Sequence, residues 1–191
     1  MPNVVSNVVA GKPLSTGGIY VAPLATALPT SVSTALNAAF KSTGYIGEDG
    51  VTENNGRTNE KIRAWGGDVV KVSQTEHTLT YQFSFIESLN AEVLKSVYGS
   101  SNVTTTAKTA SVGTLQTVKV TSEVLIHQEW VFEVKDGLAK VRIVVPDGQI
   151  TEIGETTYSD ASVIAYQVTV ECFADATGVK AYKYSDDGIF P

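Results

Sequence analysis

The stretch "TLTYQFSF", residues 78–85, alternates polar and apolar side chains without a break. A period of two belongs to an extended strand with one buried face; on a helix the same groups would scatter around the axis. Leu79, Tyr81, Phe83 and Phe85 are therefore expected to face a core, and Thr78, Thr80, Gln82 and Ser84 to face away from it. The pattern recurs in "ASVIAYQVTVECFAD", 161–175, where Ile164, Tyr166, Val168, Val170 and Cys172 oppose Gln167, Thr169 and Glu171. It recurs again in "EWVFEVKDGLAKVRIVV", where Asp136 and Gly137 read as a two-residue hairpin turn. That turn sets Glu133 opposite Lys140 and gathers Trp130, Phe132 and Val134 on one face with Ala139, Val141 and Ile143. Segments of this kind have to pair into sheets. The expected fold class is mainly β: a β-sandwich or barrel-like domain with one or two short α-helices and long polar loops. Its expected core is Leu79, Tyr81, Phe83, Phe85, Trp130, Phe132, Val141, Ile143, Tyr166, Val168 and Val170.

Two segments break the period of two. "TSVSTALNAAFKSTG", 30–44, carries Ala35, Leu36, Ala39 and Phe40 at helical spacing, with Ser31 or Ser33 as a cap and Gly44 as a stop. "SLNAEVLKSVYG", 88–99, carries Leu89, Val93, Leu94, Val97 and Tyr98 as a helical stripe, capped by Ser88 or Asn90 and ended by Gly99. A helix lying on a sheet is expected there. Residues 1–18 read as an N-terminal arm and 19–191 as a single β domain. From it the stretch 47–61 is expected to protrude as a loop, since it has no apolar period and mixes Glu48, Asp49, Glu53, Arg57, Glu60 and Lys61.

The chain has 191 residues, with 20 acids against 14 bases and a net charge of -6. A protein that grips nucleic acid through phosphates needs a basic stripe, so that function class is disfavoured; a surface that lets nucleic acid slide past is not. One cysteine, Cys172, allows no intrachain disulfide and fits a reducing compartment. No apolar run approaches a membrane span, and "MPNVVSNVVAGKP" lacks the pattern of a signal peptide, so a protein made in a cytoplasm is expected, with no membrane partner. No nucleotide-binding, zinc-protease or nucleophile-elbow motif is present. His77 and His127 belong to no acid-and-nucleophile pattern, and Cys172 sits on an apolar strand face. The expectation is no enzyme, no catalytic residue, no metal and no cofactor.

"AWGGDVV", 64–70, sets the bulky Trp65 beside Gly66 and Gly67, followed by Asp68. The expected arrangement is a loop base. Trp65 fills a gap between sheet and helix, the glycines allow a bend, and the Asp68 side chain clasps the backbone two residues on. The rival is an exposed Trp65 stacking on a sugar, as in a carbohydrate-binding β-sandwich.

Three blocks in order, "GGIYVAPLATALPT…ALNAAFKSTGYIGEDGVT", "KIRAWGGDVVKV" and "TYQFSFIESLNAEVLKSVYG", resemble the major tail protein, or tail tube protein, of long non-contractile-tailed bacteriophages, notably those of actinobacterial hosts. The resemblance implies a structural virion protein, synthesised in the host bacterial cytoplasm. It implies six-membered rings stacked into a tube that conducts double-stranded DNA without binding it specifically. Its partners would be other copies of itself, with tape-measure and tail-terminator proteins at the tube's ends. In that family a long loop between early strands and a terminal arm reach neighbouring subunits. The stretch 47–61 stands where that loop should be, which makes its six charged residues candidates for ring stacking. For the inner wall two polar strand faces compete: Thr78, Thr80, Gln82 and Ser84, or Glu129, Glu133, Lys140 and Arg142. The inner tube of a contractile injection machine shares the architecture and stands as a further alternative.

Overall fold

A computed structural model describes residues 8–14 and 17–189. Its organising element is β4, Val69–Phe85, a strand of 17 residues. The other strands are β1 (Ile19–Pro23), β2 (Lys41–Ser42), β3 (Thr52–Arg63), β5 (Val103–Thr106), β6 (Leu115–Val118), β7 (Gln128–Asp136), β8 (Ala139–Ile153), β9 (Tyr166–Cys172) and β10 (Tyr182–Asp186), with one α-helix, α1 (Ala91–Tyr98). The main sheet runs β2-β1-β7-β8-β9-β4-β3, with β10 added to β8; β5 and β6 form a separate pair. All the pairings are antiparallel.

The sheet folds back on itself because β8 serves two neighbourhoods. Lys140–Val144 pairs with β10, whereas Gly148–Ile153 pairs with β9. Tyr81 of β4 thereby meets Phe132 of β7 with ring centroids 4.8 Å apart, although two strands separate β4 from β7 in the sheet order. The core fills the curl, and α1 closes it with Val93, Leu94 and Val97. Asn90 caps this helix by accepting the Glu92 N–H at 3.0 Å, and Gly99 ends it. Leu89, expected in the helical stripe, precedes the cap and is exposed.

Most of the expected core is buried, but Val141 and Ile143 are only half-buried. The β7–β8 turn is formed by Gly137 and Leu138 rather than by Asp136 and Gly137, with Gly137 at a φ of 60°. The register therefore slides by two residues, which leaves the faces unchanged. Glu133 opposes Arg142, not Lys140.

The segment 30–44 is not a helix. Its polar side chains take over the backbone: the Thr34 N–H donates to Ser31 Oγ and the Ala39 N–H to Asn37 Oδ1. Such local bonds compete with helix formation. Residues 30–40 instead lie as a string of bends and turns over the outer face of β1, β7 and β8, where Phe40 is buried with Ala22, Val131 and Val144, and lead into β2. Of the expected arm, residues 1–7 and 15–16 lie outside the described residues. The part that is described runs along its own subunit, where Lys12 O accepts the Lys135 N–H and Gly18 O the Glu133 N–H, both at 2.8 Å.

Candidate functional site: a polar sheet face and a projecting hairpin

The segment covering β7 and β8 leaves one of the two polar faces open and covers most of the other. Glu129, Glu133 and Arg142 are buried within the subunit, so with Lys140 they do not form an open wall; only Lys140 is exposed. Glu133 and Arg142 form an ion pair, and Arg142 donates to the carbonyls of Ser31 and Thr34 at 2.6 Å. These charges fasten the covering segment down.

Glu129 holds the same segment at its start. Its carboxylate accepts N–H groups from Ala25 and Thr26, while Oε2 lacks a hydrogen-bond partner. Burial pushes its pKa up from 4.5 to about 7, with the two N–H bonds pulling the other way. The fold thus favours the protonated form. Glu129 contributes most stability below about pH 4.5, and that contribution is lost as the pH rises to about 7. Glu129→Gln, neutral throughout, should flatten this loss. Relative to the parent it should gain roughly 2–3 kcal/mol between about pH 4 and about pH 8, measured by urea unfolding at both values. An unchanged difference would show that Glu129 does not titrate in this range.

The other face is open. Thr78, Thr80 and Ser84 are half-exposed and Gln82 is exposed, on the side of β4 opposite the core. The pairing extends them into rows across three neighbouring strands. One row runs Thr52, Gln82, Thr169, Glu152; the next runs Asn54, Thr80, Glu171, Gln149; Ser84 and Gln167 begin a third. Gln82 Nε2 donates to Thr169 Oγ1 at 3.3 Å, and Thr169 Oγ1 donates to Glu152 Oε2 at 3.4 Å. These rows hold amides, hydroxyls and carboxylates, and no lysine or arginine.

The expected protruding loop is a strand. Residues 52–63 pair along their length with β4 as a hairpin that outruns the core. From Arg57 to its tip every residue of β3 is exposed. The six charged candidates do not form one cluster. Glu48 and Asp49 are exposed in the turn before β3, far along the chain from the tip. Glu53 is engaged at home, accepting from the Tyr81 hydroxyl at 2.9 Å and from Lys183 Nζ at 2.7 Å. Arg57 bonds Gln74 across the hairpin at 3.0 Å, and Glu60 and Lys61 lie in its outer half.

Trp65 does not fill a gap between sheet and helix. It stands fully exposed at the hairpin tip. Gly66 and Gly67 do make the bend, with φ of 111° and 97°. Asp68 contributes through its backbone carbonyl, which accepts the Ala64 N–H at 2.8 Å, rather than through its side chain; Arg63 donates to the Gly67 carbonyl at 2.8 Å. Sequence reading missed the apolar company of the tip: Ile62, Val69, Val70 and Val72 are all exposed on this hairpin. Val69 and Val72 continue the core-facing side of β4 beyond the core itself. The cue available in the sequence was the run "DVVKV", apolar residues with nothing across from them to bury them.

Of the groups set aside as chemistry, His127 Nδ1 lies 2.6 Å from Asp147 and His77 Nε2 lies 2.9 Å from Asn55. Cys172 is buried, and burial pushes its thiol up to about 12, which keeps it a thiol. Among the described residues no helix is long and apolar enough to cross a membrane.

The family described as "Phage tail tube protein" matches residues 6–189. No curated protein sequence matches the chain. Among solved structures, a chain from the sheath–tube complex of an extracellular contractile injection system (PVC) in its extended state is similar at 6% identity. That likeness covers 97% of this chain and 100% of the other, with a TM-score of 0.45. A chain of the anti-feeding prophage cap (AFP tube terminating cap) is similar at 8% identity, with coverage of 97% and 100% and a TM-score of 0.44.

Proposed function

Because this chain belongs to the phage tail tube protein family, we propose that its copies close into six-membered rings and stack as the tail tube that conducts the genome, with the open polar face as the inner wall. The observation that carries the assignment of the wall is the composition of that face. Its rows offer duplex DNA neither cations to hold its phosphates nor apolar groups to hold its bases. The carboxylates of Glu152 and Glu171 repel phosphate, so DNA moves along the wall rather than settling on it.

The edges of the same half-sheet supply ring closure. β3 pairs only with β4, and Gln149–Ile153 of β8 only with β9, so both outer edges keep unpaired backbone groups among the described residues. Exposed edges of this kind are a hazard in a free monomer and a joint in an assembly. The edge of one copy meeting the other edge of the next is a heterologous contact, which closes when the rotation per copy is right. The projecting hairpin then reaches the next ring. The partners are other copies, with tape-measure and terminator proteins at the ends. The same wall and hairpin serve a long non-contractile tail or the inner tube of a contractile machine.

Electron microscopy of the purified chain tests the assembly: rings and tubes should form as concentration rises, and a protein that stays monomeric at every concentration would defeat the proposal. The wall is tested separately with Thr80→Lys and Thr169→Lys combined. Parent tubes should retain no duplex DNA. The variant tubes should retain it at low salt and release it as salt rises, because cations on the wall bind phosphate through counterion release. Variant tubes that ignore DNA would place those two residues away from the lumen.

A further inference from the structure

One subunit carries both a plug and a socket. The plug is the hairpin tip, where Trp65 is fully exposed and stands on a short turn between paired strands. The socket is a cavity of about 560 Å³ on the body of the domain. Pro13, Leu14, Tyr45 and Ile46 give it apolar walls, and Glu87 is the charged residue among its described lining residues. The Glu87 carboxylate is held in place, accepting the Tyr45 N–H at 2.9 Å and Asn90 Nδ2 at 3.0 Å.

The geometry points to insertion of Trp65 of one copy into this cavity on a second copy. This rests on the reading of the chain as a tube subunit and names the receiving surface. Charge favours the match. Beside the tip, Lys61, Arg63 and Lys71 outnumber Glu60 and Asp68, while the socket presents Glu87, with Glu48 and Asp49 just beyond Ile46. An indole also needs an acceptor for its N–H when buried, and a carboxylate with free lone pairs provides one. Tip and socket are different surfaces, so in a tube the copy that fills a socket need not be the copy that receives the tip. Each copy that receives a tip still offers its own, and the chain of contacts propagates.

Fluorescence separates the outcomes. Trp130 is already buried in the subunit, so a blue shift on assembly reports Trp65. The parent should show that shift as it assembles. Tyr45→Lys, a change at an exposed wall residue, should keep the parent's far-ultraviolet spectrum. It should need roughly thirtyfold more protein to assemble, the loss typical of a central aromatic anchor. Trp65→Ala should be impaired to a similar degree. Mixed one to one, Trp65→Ala supplies a sound socket and Tyr45→Lys a sound tip. The mixture should show a heterotypic complex by sedimentation, with blue-shifted emission, that neither variant shows alone at that concentration. If Tyr45→Lys assembles like the parent with the same blue shift, the tip docks elsewhere and this inference is overturned while the tube reading stands. A parent that never assembles overturns both.

Discussion

Replacing Phe83 with alanine is expected to lower the unfolding free energy of the subunit by roughly 3–5 kcal/mol. Phe83 sits where the folded sheet is thickest in aromatic contacts. Its ring centroid lies 5.0 Å from Phe85, 5.7 Å from Phe132 and 6.1 Å from Trp130, each in an edge-to-face arrangement. Phe132 and Trp130 belong to the opposing part of the sheet, so the ring bridges the two walls of the curl. Alanine would leave a void lined by rigid rings, which collapse poorly into vacated space. A domain of this size is typically stable by only about 5–15 kcal/mol, so a loss of this size removes a large share of the total. Urea denaturation of the dilute, unassembled subunit measures it. A loss below about 1 kcal/mol would mean that the two walls do not depend on each other at this point.

The second large effect concerns assembly rather than folding. Arg57 and His77 face each other across the hairpin, so residues 58–76 can be exchanged for an Asn-Gly turn that joins the two strands in register. The deletion removes exposed residues almost entirely and leaves the core intact, including Leu79 and Tyr81. The shortened chain should unfold at nearly the parent's denaturant midpoint and yet form no tubes at concentrations at which the parent is fully assembled. Sedimentation and electron microscopy read the second half of that statement, and tubes of normal length from the shortened chain would contradict it. The same experiment separates this hairpin from an ordinary surface excursion, whose removal would change neither property.

The sequence revealed most where one side of a strand is dry. Leu79, Tyr81, Phe83 and Phe85 alternate with polar residues because the core ends at their backbone, and the same holds for Tyr166, Val168 and Val170. The signal failed in two opposite situations. Along β3 both sides are wet, so Asn, Gly, Glu and Thr follow one another without a hydrophobic beat, and a strand of 12 residues reads as a loop. Its extended form comes from pairing with β4, which no local pattern in β3 announces. Along β7 and β8 both sides are dry. Trp130, Val131 and Phe132 are all buried, and Glu129, Glu133 and Arg142 look like a solvent face only until residues 24–40 are laid over them. The polar, solvent-facing side of β4, with Thr78, Thr80, Gln82 and Ser84, is legible from alternation alone. Its continuation through Thr169, Glu171 and Glu152 required the strand order. Trp65 stands out in the sequence, but a tryptophan between polar segments gives no sign of whether the chain turns in or out.

The irregularity between Thr58 and Asn59, where β4 spends one residue more than its partner, has a consequence for how such a chain can vary. In an unbroken ladder Val72 would share the side of Thr78 and Thr80, away from the core. The extra residue inverts the phase as far as a second irregularity between Ile62 and Arg63, and Val72 falls on the side of Leu79 and Tyr81 instead. Length changes in the outer hairpin are therefore not equivalent. Adding or removing a matched pair on both strands lengthens or shortens the reach and preserves the facing of every side chain. Losing the unmatched residue itself straightens the ladder and keeps the facing of its neighbours, whereas losing one matched residue from β4 alone, such as Ser73, turns Val72 to the side of Thr78 and Thr80. Among related chains, the facing of these side chains rather than the length of the arm should be the conserved quantity.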